Sequence, residues 1–197
     1  MESNREIVIS KEEIEEAVKR CAKELEERFK DNDQIPVFIG VLKGALPFMM
    51  DLIKNYHLPC KEDYIQVSSY DGTASTGVIH LRKDISEDIK NKDIVIIEDI
   101  IDTGLTLSYL KQYLRLKYQP RSITICTFID KKPLRKVELE ADVVGVTLTK
   151  NKFLVGYGLD YNEIVRNIEY VFVPTKEDLI EWDKALELDK ENSQKID

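Results

Sequence analysis

The chain has 197 residues, and 43% of them are hydrophobic, which is enough for the core of one domain with a small appended lobe. Its net charge of −8 argues against general nucleic-acid binding, and no apolar run is long enough to span a membrane. The chain has only two histidines, which argues against a histidine-rich metal site and a Ser-His-Asp triad, and its three cysteines do not have metal-ligand spacing. The polar N-terminus argues against a signal peptide, so we expect a cytoplasmic protein.

The first part of the chain alternates between strand and helix patterns. A short strand is predicted from Glu6 to Ile9, and Ser10 with Glu13 forms a capping box at the start of a helix. Apolar residues at helical spacing continue this helix to about residue 30. The apolar run from Pro36 to Val41 predicts the first buried strand of a sheet.

A lysine follows this first buried strand, in the turn Leu42-Lys43-Gly44, and a helix is predicted from about Ala45 to Asn55. In an open α/β sheet, the carboxyl end of a strand is where an anionic ligand binds. A solvated lysine is the other interpretation of Lys43, and this stretch alone leaves both open.

The next part of the chain has the pattern of a hairpin. Tyr64 to Tyr70 alternates between apolar and polar residues as in a strand, and Ile79 to Arg82 predicts a returning strand. Between them, Asp71 to Gly77 is a polar loop that contains two glycines. From these residues alone, the loop is a simple connection between two strands.

The central stretch of the chain combines a buried strand with three acidic residues. The β-branched run from Ile94 to Ile97 predicts a strand that is buried on both faces. It is followed by the acids Glu98, Asp99 and Asp102, by the loop Thr103-Gly104-Leu105-Thr106, and by a helix with Leu107, Leu110 and Leu114 on one stripe that ends near Tyr118.

Each part of this central stretch has a physical use. A loop that enters a helix presents free backbone N–H groups, which bind phosphate, and Gly104 allows a close approach while Thr103 and Thr106 add hydroxyl donors. Acidic side chains would repel a phosphate, so Glu98 and Asp99 need another task. They can accept hydrogen bonds from the vicinal hydroxyls of a sugar, directly or through a hydrated metal. The alternative is a capped helix after a core strand.

The C-terminal half continues the same alternation. Strands are predicted from Ser122 to Ile129, before Asp130-Lys131-Lys132-Pro133, and from Val143 to Leu148. A further strand is predicted from Phe153 to Tyr157, where core packing is one interpretation of Phe153. Strands that alternate with helices predict an α/β protein with a largely parallel sheet.

Two of these stretches resemble known motifs. The central stretch resembles the phosphoribosyl pyrophosphate (PRPP) motif of type I phosphoribosyltransferases, which consists of an apolar strand, two acids, two apolar residues and Asp-Thr-Gly-x-Thr. The stretch lacks the Gly-Lys of a P-loop. The segment from Lys152 to Asn167, which contains Val155-Gly-Tyr-Gly-Leu-Asp-Tyr-Asn-Glu163, closely resembles the hood segment of hypoxanthine-guanine phosphoribosyltransferases. With Leu42-Lys43-Gly44, the resemblance covers roughly residues 5–174.

The resemblance implies a fold and a division of the chain. We expect the type I phosphoribosyltransferase fold, with a largely parallel central sheet flanked by helices and a small hood lobe from N- and C-terminal segments. The single domain spans residues 1–174, with hood parts at about 1–10 and 151–174. Residues 175–197 form a charged helical extension, capped by Thr175, that packs on the body of the protein or on a neighbouring subunit through Leu179, Trp182 and Leu186.

The resemblance also implies which residues bind PRPP. Glu98 and Asp99 hold the ribose hydroxyls, and Asp102 is the candidate general base for the purine N7 proton. The residues that contact the 5′-phosphate or the pyrophosphate are Thr103, Gly104, Leu105, Thr106, Lys43, Gly44 and Arg166. Magnesium is the implied cofactor, with Glu98, Asp99 and Asp160 as ligands. Leu105 replaces a lysine of some family members, and Ala45 replaces a glycine, where a small residue should fit.

The purine-binding residues are implied in the same way. Phe153 stacks on the purine ring, Lys131 donates to the 6-oxo group, and backbone groups near Leu154 and Asp160 meet the 2-position edge. Ser69 and Tyr70 match the start of a lid that closes over the site and excludes water.

The implied reaction is the salvage of a 6-oxopurine base: hypoxanthine or guanine reacts with PRPP to give IMP or GMP and pyrophosphate. No nucleic acid or membrane partner is expected, and the family assembles as homodimers or homotetramers. A xanthine-preferring enzyme stays open, because the contact at the 2-position uses backbone atoms. A PRPP-sensing, RNA-binding regulator on the same fold is a further alternative, against which the acidic charge and the hood segment argue.

Overall fold

The fold is built on a twisted central sheet, and the computed structural model describes residues 4–68 and 79–194. The strands of this sheet, in spatial order, are β4 (His80–Lys83), β3 (Lys61–Ser68), β2 (Val37–Leu42), β5 (Asp93–Ile101), β6 (Ser122–Asp130) and β7 (Val143–Thr147). Neighbouring strands are parallel except for β3 and β4, which are antiparallel. The predicted α/β fold with a largely parallel sheet is therefore confirmed.

Helices cover both faces of the sheet, because the central strands are apolar on both sides. In β5, Val95 and Ile97 belong to a buried cluster with helices α1 (Lys11–Phe29) and α2 (Leu46–Asn55). Ile94 and Ile96 belong to a second cluster on the opposite face, with helix α3 (Leu105–Tyr118). The alternation of β5 side chains thus supplies the two halves of the core.

Most predicted boundaries agree with the structure to within a few residues. The capping box at the start of α1 is present, with the Glu13 amide donating to the Ser10 hydroxyl and the Ser10 amide donating to Glu13. β3 begins at Lys61, three residues before its predicted start, and β4 is shifted by one residue. The predicted lid residues Ser69 and Tyr70, and the loop from residue 71 to residue 77, lie outside the described residues.

The hood consists of two short strands and the segment between residues 151 and 170. β1 (Glu6–Ile9) pairs antiparallel with β8 (Val171–Val173), so the hood combines an N-terminal segment with a C-terminal segment, as predicted. The prediction of a strand from Phe153 to Tyr157 is wrong, because this stretch forms only isolated bridges, from Val155 to Phe172 and from Gly156 to Leu159. Gly156, Tyr157 and Gly158 all have positive φ angles, which turn the chain away from a strand.

The last helix, α4 (Lys176–Ser193), packs on the hood. Thr175 and Asp178 form the predicted cap, and Asp178 also pairs with Arg5 at 2.7 Å, which links α4 to the N-terminal segment. Trp182 is buried beside Phe172, with ring centroids 6.4 Å apart. This helix thus contacts the body of its own chain, while the division of the chain at residue 174 stays a prediction. Among residues 4–68 and 79–194, no helix is long and apolar enough to cross a membrane.

Asp93 closes the amino end of β5, at the edge of the sheet opposite the acids of the central stretch. Its buried carboxylate accepts hydrogen bonds from Arg121 Nε at 3.0 Å, from Ser122 Oγ at 2.6 Å and from Asn32 Nδ2 at 2.6 Å. The hydrogen bond from Arg121, followed by those from Ser122 and Asn32, lowers the pKa of Asp93 to about 2. A carboxyl group with a lowered pKa stabilises the fold above its unfolded pKa and loses that effect as the pH falls.

We predict that Asp93→Asn lowers the free energy of unfolding by about 2 kcal/mol at pH 7 and by clearly less at pH 3. Urea unfolding at the two pH values measures both numbers. The control is Asp189→Asn, which changes an exposed aspartate of α4. An equal loss of stability at both pH values would contradict the electrostatic origin of the effect.

Candidate active site

The two adjacent acids of the central stretch lie inside β5 rather than after it. The sequence predicted that the strand ends at Ile97, but its pairing with β6 continues through Glu98 opposite Thr127 and through Ile101 opposite Asp130. The longer strand has a simple cause, since β6 continues to Asp130 and its backbone provides hydrogen-bond partners for β5 over that length. Glu98 and Asp99 therefore have fixed backbone positions near the carboxyl edge of the sheet.

The two carboxyl groups are held in an environment that disfavours their charge. Glu98 is 8% exposed, and burial, followed by the neighbouring Asp99, raises its pKa well above the ordinary value. Burial also raises the pKa of Asp99, while the positive charge of Arg166 acts in the opposite direction. A pair of close, buried acids of this kind is stabilised by a cation or by hydrogen-bond donors from a ligand.

Gly44 brings the turn after β2 against this pair. A Cβ atom on Gly44 would lie 1.7 Å from Asp99 Oδ2, and one on Gly158 would lie 2.1 Å from the Gly44 carbonyl oxygen. Gly158 also has a φ of +96°, which a side chain would strain. Three backbone segments can meet here only because both residues are glycines. Ala45 is fully buried, in agreement with the expected small residue, and the Leu42–Lys43 peptide bond is cis.

The loop after β5 leads directly into α3. The helix begins at Leu105, two residues earlier than predicted, with Gly104 at its N-cap and a φ of +80°. Leu105 and Thr106 are therefore first-turn residues whose backbone N–H groups point out of the helix end. The Thr103 hydroxyl accepts a weak hydrogen bond from the Leu105 amide at 3.4 Å, and Leu105 is 44% exposed. This is the geometry of an anion-binding helix start.

A buried ion pair behind this loop was not predicted from the sequence. Asp130, at the end of β6, is 1% exposed and forms an ion pair with Arg135. The Arg135 side chain packs under Gly104, where a Cβ would lie 2.8 Å from Arg135 Cδ. The Lys136 amide donates to the Thr103 carbonyl at 2.9 Å. Asp130 at the carboxyl end of a buried strand was the available signal, since such ends of parallel strands share one edge.

Asp102 and Lys131 come together at the ends of neighbouring strands. Lys131 Nζ lies 3.4 Å from Asp102 Oδ1 and donates to the Lys152 carbonyl at 2.9 Å. Lys131 is 5% exposed, whereas the Asp102 side chain is 48% exposed. The structure therefore pairs an accessible carboxylate with a buried ammonium group.

The hood supplies an exposed aromatic ring directly after Lys152, whose carbonyl accepts a hydrogen bond from Lys131. This ring belongs to Phe153, which is 55% exposed, so the interpretation of Phe153 as a core residue is wrong. Its ring meets Tyr161 edge-on, with centroids 6.3 Å apart. Leu154 is buried in the core, which leaves its backbone rather than its side chain for a ligand.

The remaining predicted residues form a charged group at the turn of the hood. Arg166 Nη2 lies 3.0 Å from Asp160 Oδ1 and 3.3 Å from Glu163 Oε2, and Arg166 Nη1 donates to the Gly158 carbonyl at 2.8 Å. Glu163 Oε2 also lies 2.7 Å from Lys43 Nζ. The hood turn is thus tied to the Lys43–Gly44 turn of the sheet.

The predicted site residues within the described part of the chain lie at the ends of β5 and β6, at the start of α3, in the turn after β2 and in the hood, while Ser69 and Tyr70 lie outside the described residues. Within residues 4–68 and 79–194, no three His, Cys, Asp or Glu side chains form a ready-made metal cluster. Asp160 is turned toward Arg166, so the three predicted magnesium ligands do not converge in this structure. Cys21, Cys60 and Cys126 are free, and Cys21 and Cys126 are buried.

Comparisons with known proteins agree with this arrangement. Residues 8–162 match the phosphoribosyl transferase domain family. The hypoxanthine-guanine phosphoribosyltransferase of Bacillus subtilis is 46% identical over 168 residues, which cover 85% of this chain and 91% of that protein. A crystal structure of a hypoxanthine-guanine phosphoribosyltransferase from Bacillus anthracis matches with a TM-score of 0.80 at 38% identity, over 86% of this chain and 98% of that one. Hypoxanthine phosphoribosyltransferase from Trypanosoma cruzi, in complex with the product IMP, matches with a TM-score of 0.79 at 32% identity, over 88% and 95%.

The unfavourable charge of the acidic pair gives a prediction for stability. Because the pKa of Glu98 is raised in the folded state, its contribution to stability is complete below the ordinary value of 4.5 and is lost as the pH rises toward the folded pKa. We predict that Glu98→Gln raises the free energy of unfolding at pH 8 by about 1 kcal/mol, which is the usual scale for relieving a strained functional site.

Urea unfolding in chelator-treated buffer at pH 8 and pH 4.5 measures this difference, which should shrink at the lower pH. The control is Glu187→Gln, an exposed glutamate of α4. A loss of stability in Glu98→Gln at pH 8 would show that the Glu98 charge is favourable in the fold.

Proposed function

This chain belongs to the phosphoribosyltransferase family, and we propose that it transfers the 5-phosphoribosyl group of PRPP to hypoxanthine or guanine, giving IMP or GMP and pyrophosphate. The observation that carries the proposal is the pairing of Asp102 with Lys131 at 3.4 Å, at the carboxyl ends of the neighbouring strands β5 and β6. β5 also carries the acidic pair and leads into the loop before α3. A carboxylate that removes a proton and an ammonium that recognises an oxo group are the two groups that this reaction requires beside a phosphate site.

The proposed PRPP site consists of the carboxyl end of β5, the turn after β2, the start of α3 and Arg166 of the hood. Glu98 and Asp99 accept hydrogen bonds from the ribose hydroxyls. The 5′-phosphate rests on the N–H groups and hydroxyls of the loop: Thr103, Gly104, Leu105 and Thr106. With leucine at position 105, no lysine charge assists this contact. Lys43, the backbone of Gly44 and the forked donors of Arg166 bind the pyrophosphate group.

Magnesium fits the donor set, although the protein provides no closed cage for it. Mg²⁺ prefers oxygen ligands and is usually held by one or two carboxylates together with substrate phosphates. Glu98 and Asp99 would hold it, and a cation there would relieve their mutual repulsion. Asp160 would join them after leaving Arg166, which it contacts at 3.0 Å. When bound, the ion neutralises charge on the leaving pyrophosphate.

The purine lies between the hood and the strand ends. Phe153 presents its exposed ring for stacking on the base, and Lys131 donates to the 6-oxo group. Backbone groups of Leu154 and Asp160 meet the 2-position edge. Since the Lys152 carbonyl and Asp102 both contact the Lys131 ammonium, its position is fixed before a base binds.

Asp102 acts as the general base. Its carboxylate takes the proton from purine N7 while N9 forms a bond to C1′ of the ribose, and the bond between C1′ and the pyrophosphate oxygen breaks. The nearby Lys131 ammonium stabilises the Asp102 carboxylate before the transfer. Asp102 is half exposed, so a base can reach it from the solvent side.

A cytoplasmic location and assembly as a homodimer or homotetramer belong to the same proposal. The exposed Leu46 and Met50 lie one turn apart on α2, at 43% and 38% exposure, and this apolar pair supports a contact between subunits.

The first prediction for activity concerns the base. Wild-type protein with PRPP and magnesium should convert hypoxanthine or guanine, with no turnover of adenine, in a spectrophotometric assay. Asp102→Asn should lower kcat by a factor on the order of 10² to 10⁴, because it removes general-base catalysis. Asp31→Asn, an exposed aspartate before β2, is the control.

A preference for xanthine would change the proposed substrate and leave the mechanism in place. No turnover of any base, with PRPP still bound, would favour the regulator instead.

The second prediction concerns selectivity. Lys131→Met should lower the ratio of hypoxanthine to adenine kcat/KM by at least about 100-fold, because a site built around a hydrogen bond rejects a mismatched base strongly. The matched control is the neighbouring Lys132→Met, since Lys132 is exposed and pairs with Glu140. An unchanged ratio in Lys131→Met would remove Lys131 from purine recognition.

A further inference from the structure

Glu163 connects the two cations that the proposed function assigns to pyrophosphate. Its Oε2 atom lies 2.7 Å from Lys43 Nζ and 3.3 Å from Arg166 Nη2. Lys43 follows β2 and Arg166 belongs to the hood, so one carboxylate oxygen bridges two separate parts of the fold. A phosphate oxygen that binds between the same two cations would take the place of this carboxylate.

The backbone around Glu163 is held in an unusual conformation. Asn162, Glu163 and Val165 have φ angles of 47°, 73° and 63°, in the left-handed region that non-glycine residues rarely adopt. Such conformations are unfavourable for residues other than glycine, and they collect at functional sites. The Glu163 amide donates to Asp160 Oδ2 at 2.8 Å, which holds the turn in this shape. The turn therefore directs the Glu163 carboxylate toward Lys43 and Arg166.

The contact is strong enough to form and weak enough to be displaced. The side chains of Glu163 and Lys43 are 64% and 55% exposed, and ion pairs that are this exposed contribute little to stability. A glutamate side chain is ordinarily ionised at neutral pH, so the Glu163 carboxylate carries a negative charge in this contact. A pyrophosphate group has more charge and more acceptor oxygens than one carboxylate, so it displaces Glu163 readily.

We propose that Glu163 is an internal competitor for the pyrophosphate subsite, and this rests on the proposed function. Its carboxylate occupies Lys43 and Arg166 in the free protein, leaves when the pyrophosphate group of PRPP binds, and returns as product pyrophosphate departs. Glu163 thereby weakens the binding of product and keeps both cations in place between turnovers. It acts through Lys43 and Arg166 and takes no part in bond making or breaking.

Direct binding of inorganic pyrophosphate tests this role. Isothermal titration calorimetry, with chelator and separately with magnesium, compares wild type with Glu163→Gln and with Glu169→Gln. Glu169 is 71% exposed, pairs with Lys11 at 3.0 Å and follows in the same segment, so its substitution removes the same charge without touching the two cations. Glu163→Gln should bind pyrophosphate about 5-fold more tightly, and Glu169→Gln should stay within about 2-fold of wild type.

Two further measurements separate competition from a structural role. In a Lys43→Met background, the tightening caused by Glu163→Gln should fall below about 2-fold, because the closer of the two cations is gone. In steady-state assays, Glu163→Gln should lower the inhibition constant for pyrophosphate and the KM for PRPP together. A residue that only maintained the turn would raise both constants when replaced.

Unchanged or weaker pyrophosphate binding by Glu163→Gln would overturn the proposal. An equal gain in pyrophosphate affinity in Glu169→Gln would also overturn it, because that result would indicate a general charge effect. Failure of the proposed function gives a different result, since a folded wild-type protein would then neither bind pyrophosphate nor turn over a purine base. Turnover and pyrophosphate binding by wild type, without tightening in Glu163→Gln, would reject the competitor role alone.

Discussion

The constraint on which the site depends is the burial of two adjacent carboxyl groups at the carboxyl end of β5. Glu98 and Asp99 are held by a strand that continues to pair beyond them, so they cannot move apart to relieve their repulsion. Burial and the neighbouring Asp99 both disfavour a charge on Glu98, and a ligand that binds there can compensate for this cost. The neighbouring parts of the fold are arranged around the pair.

Two features surround the acidic pair: close backbone contacts at Gly44 and Gly158, and the cationic side chains of Lys43 and Arg166. Gly44 and Gly158 let the turn after β2 and the hood turn approach Asp99, where larger residues would collide with the carboxylate or with backbone oxygen. Arg166 and Lys43 bring positive charge to the same place, and Asp160 and Glu163 balance it within the free protein. A chain with a net charge of −8 thus gathers these cations locally, as the binding of a polyanionic substrate would require.

Much of this was predictable from the sequence, and the failures have physical causes. Strands such as β5 and β6 were predicted because their β-branched runs are read directly from the residues, and the acids, the loop before α3 and the hood turn were found through their motifs. The strand predicted at Phe153–Tyr157 failed because the positive φ angles of Gly156 and Gly158 override an apolar pattern. The partners Asp130 with Arg135 and Glu163 with Lys43 could not be predicted, because side-chain pairing across elements depends on the tertiary arrangement of the turns.

The pairing of β1 with β8 has a consequence for how the molecule forms during synthesis. Glu6 is opposite Val173, so the small antiparallel sheet joins the first of the described strands to be synthesised with the last of them. The strands of the large sheet and the helices between them are all synthesised before β8, and their contacts are closer along the chain. Because its contacts are closer along the chain, we expect the large sheet to form first and the hood to close when β1 pairs with β8.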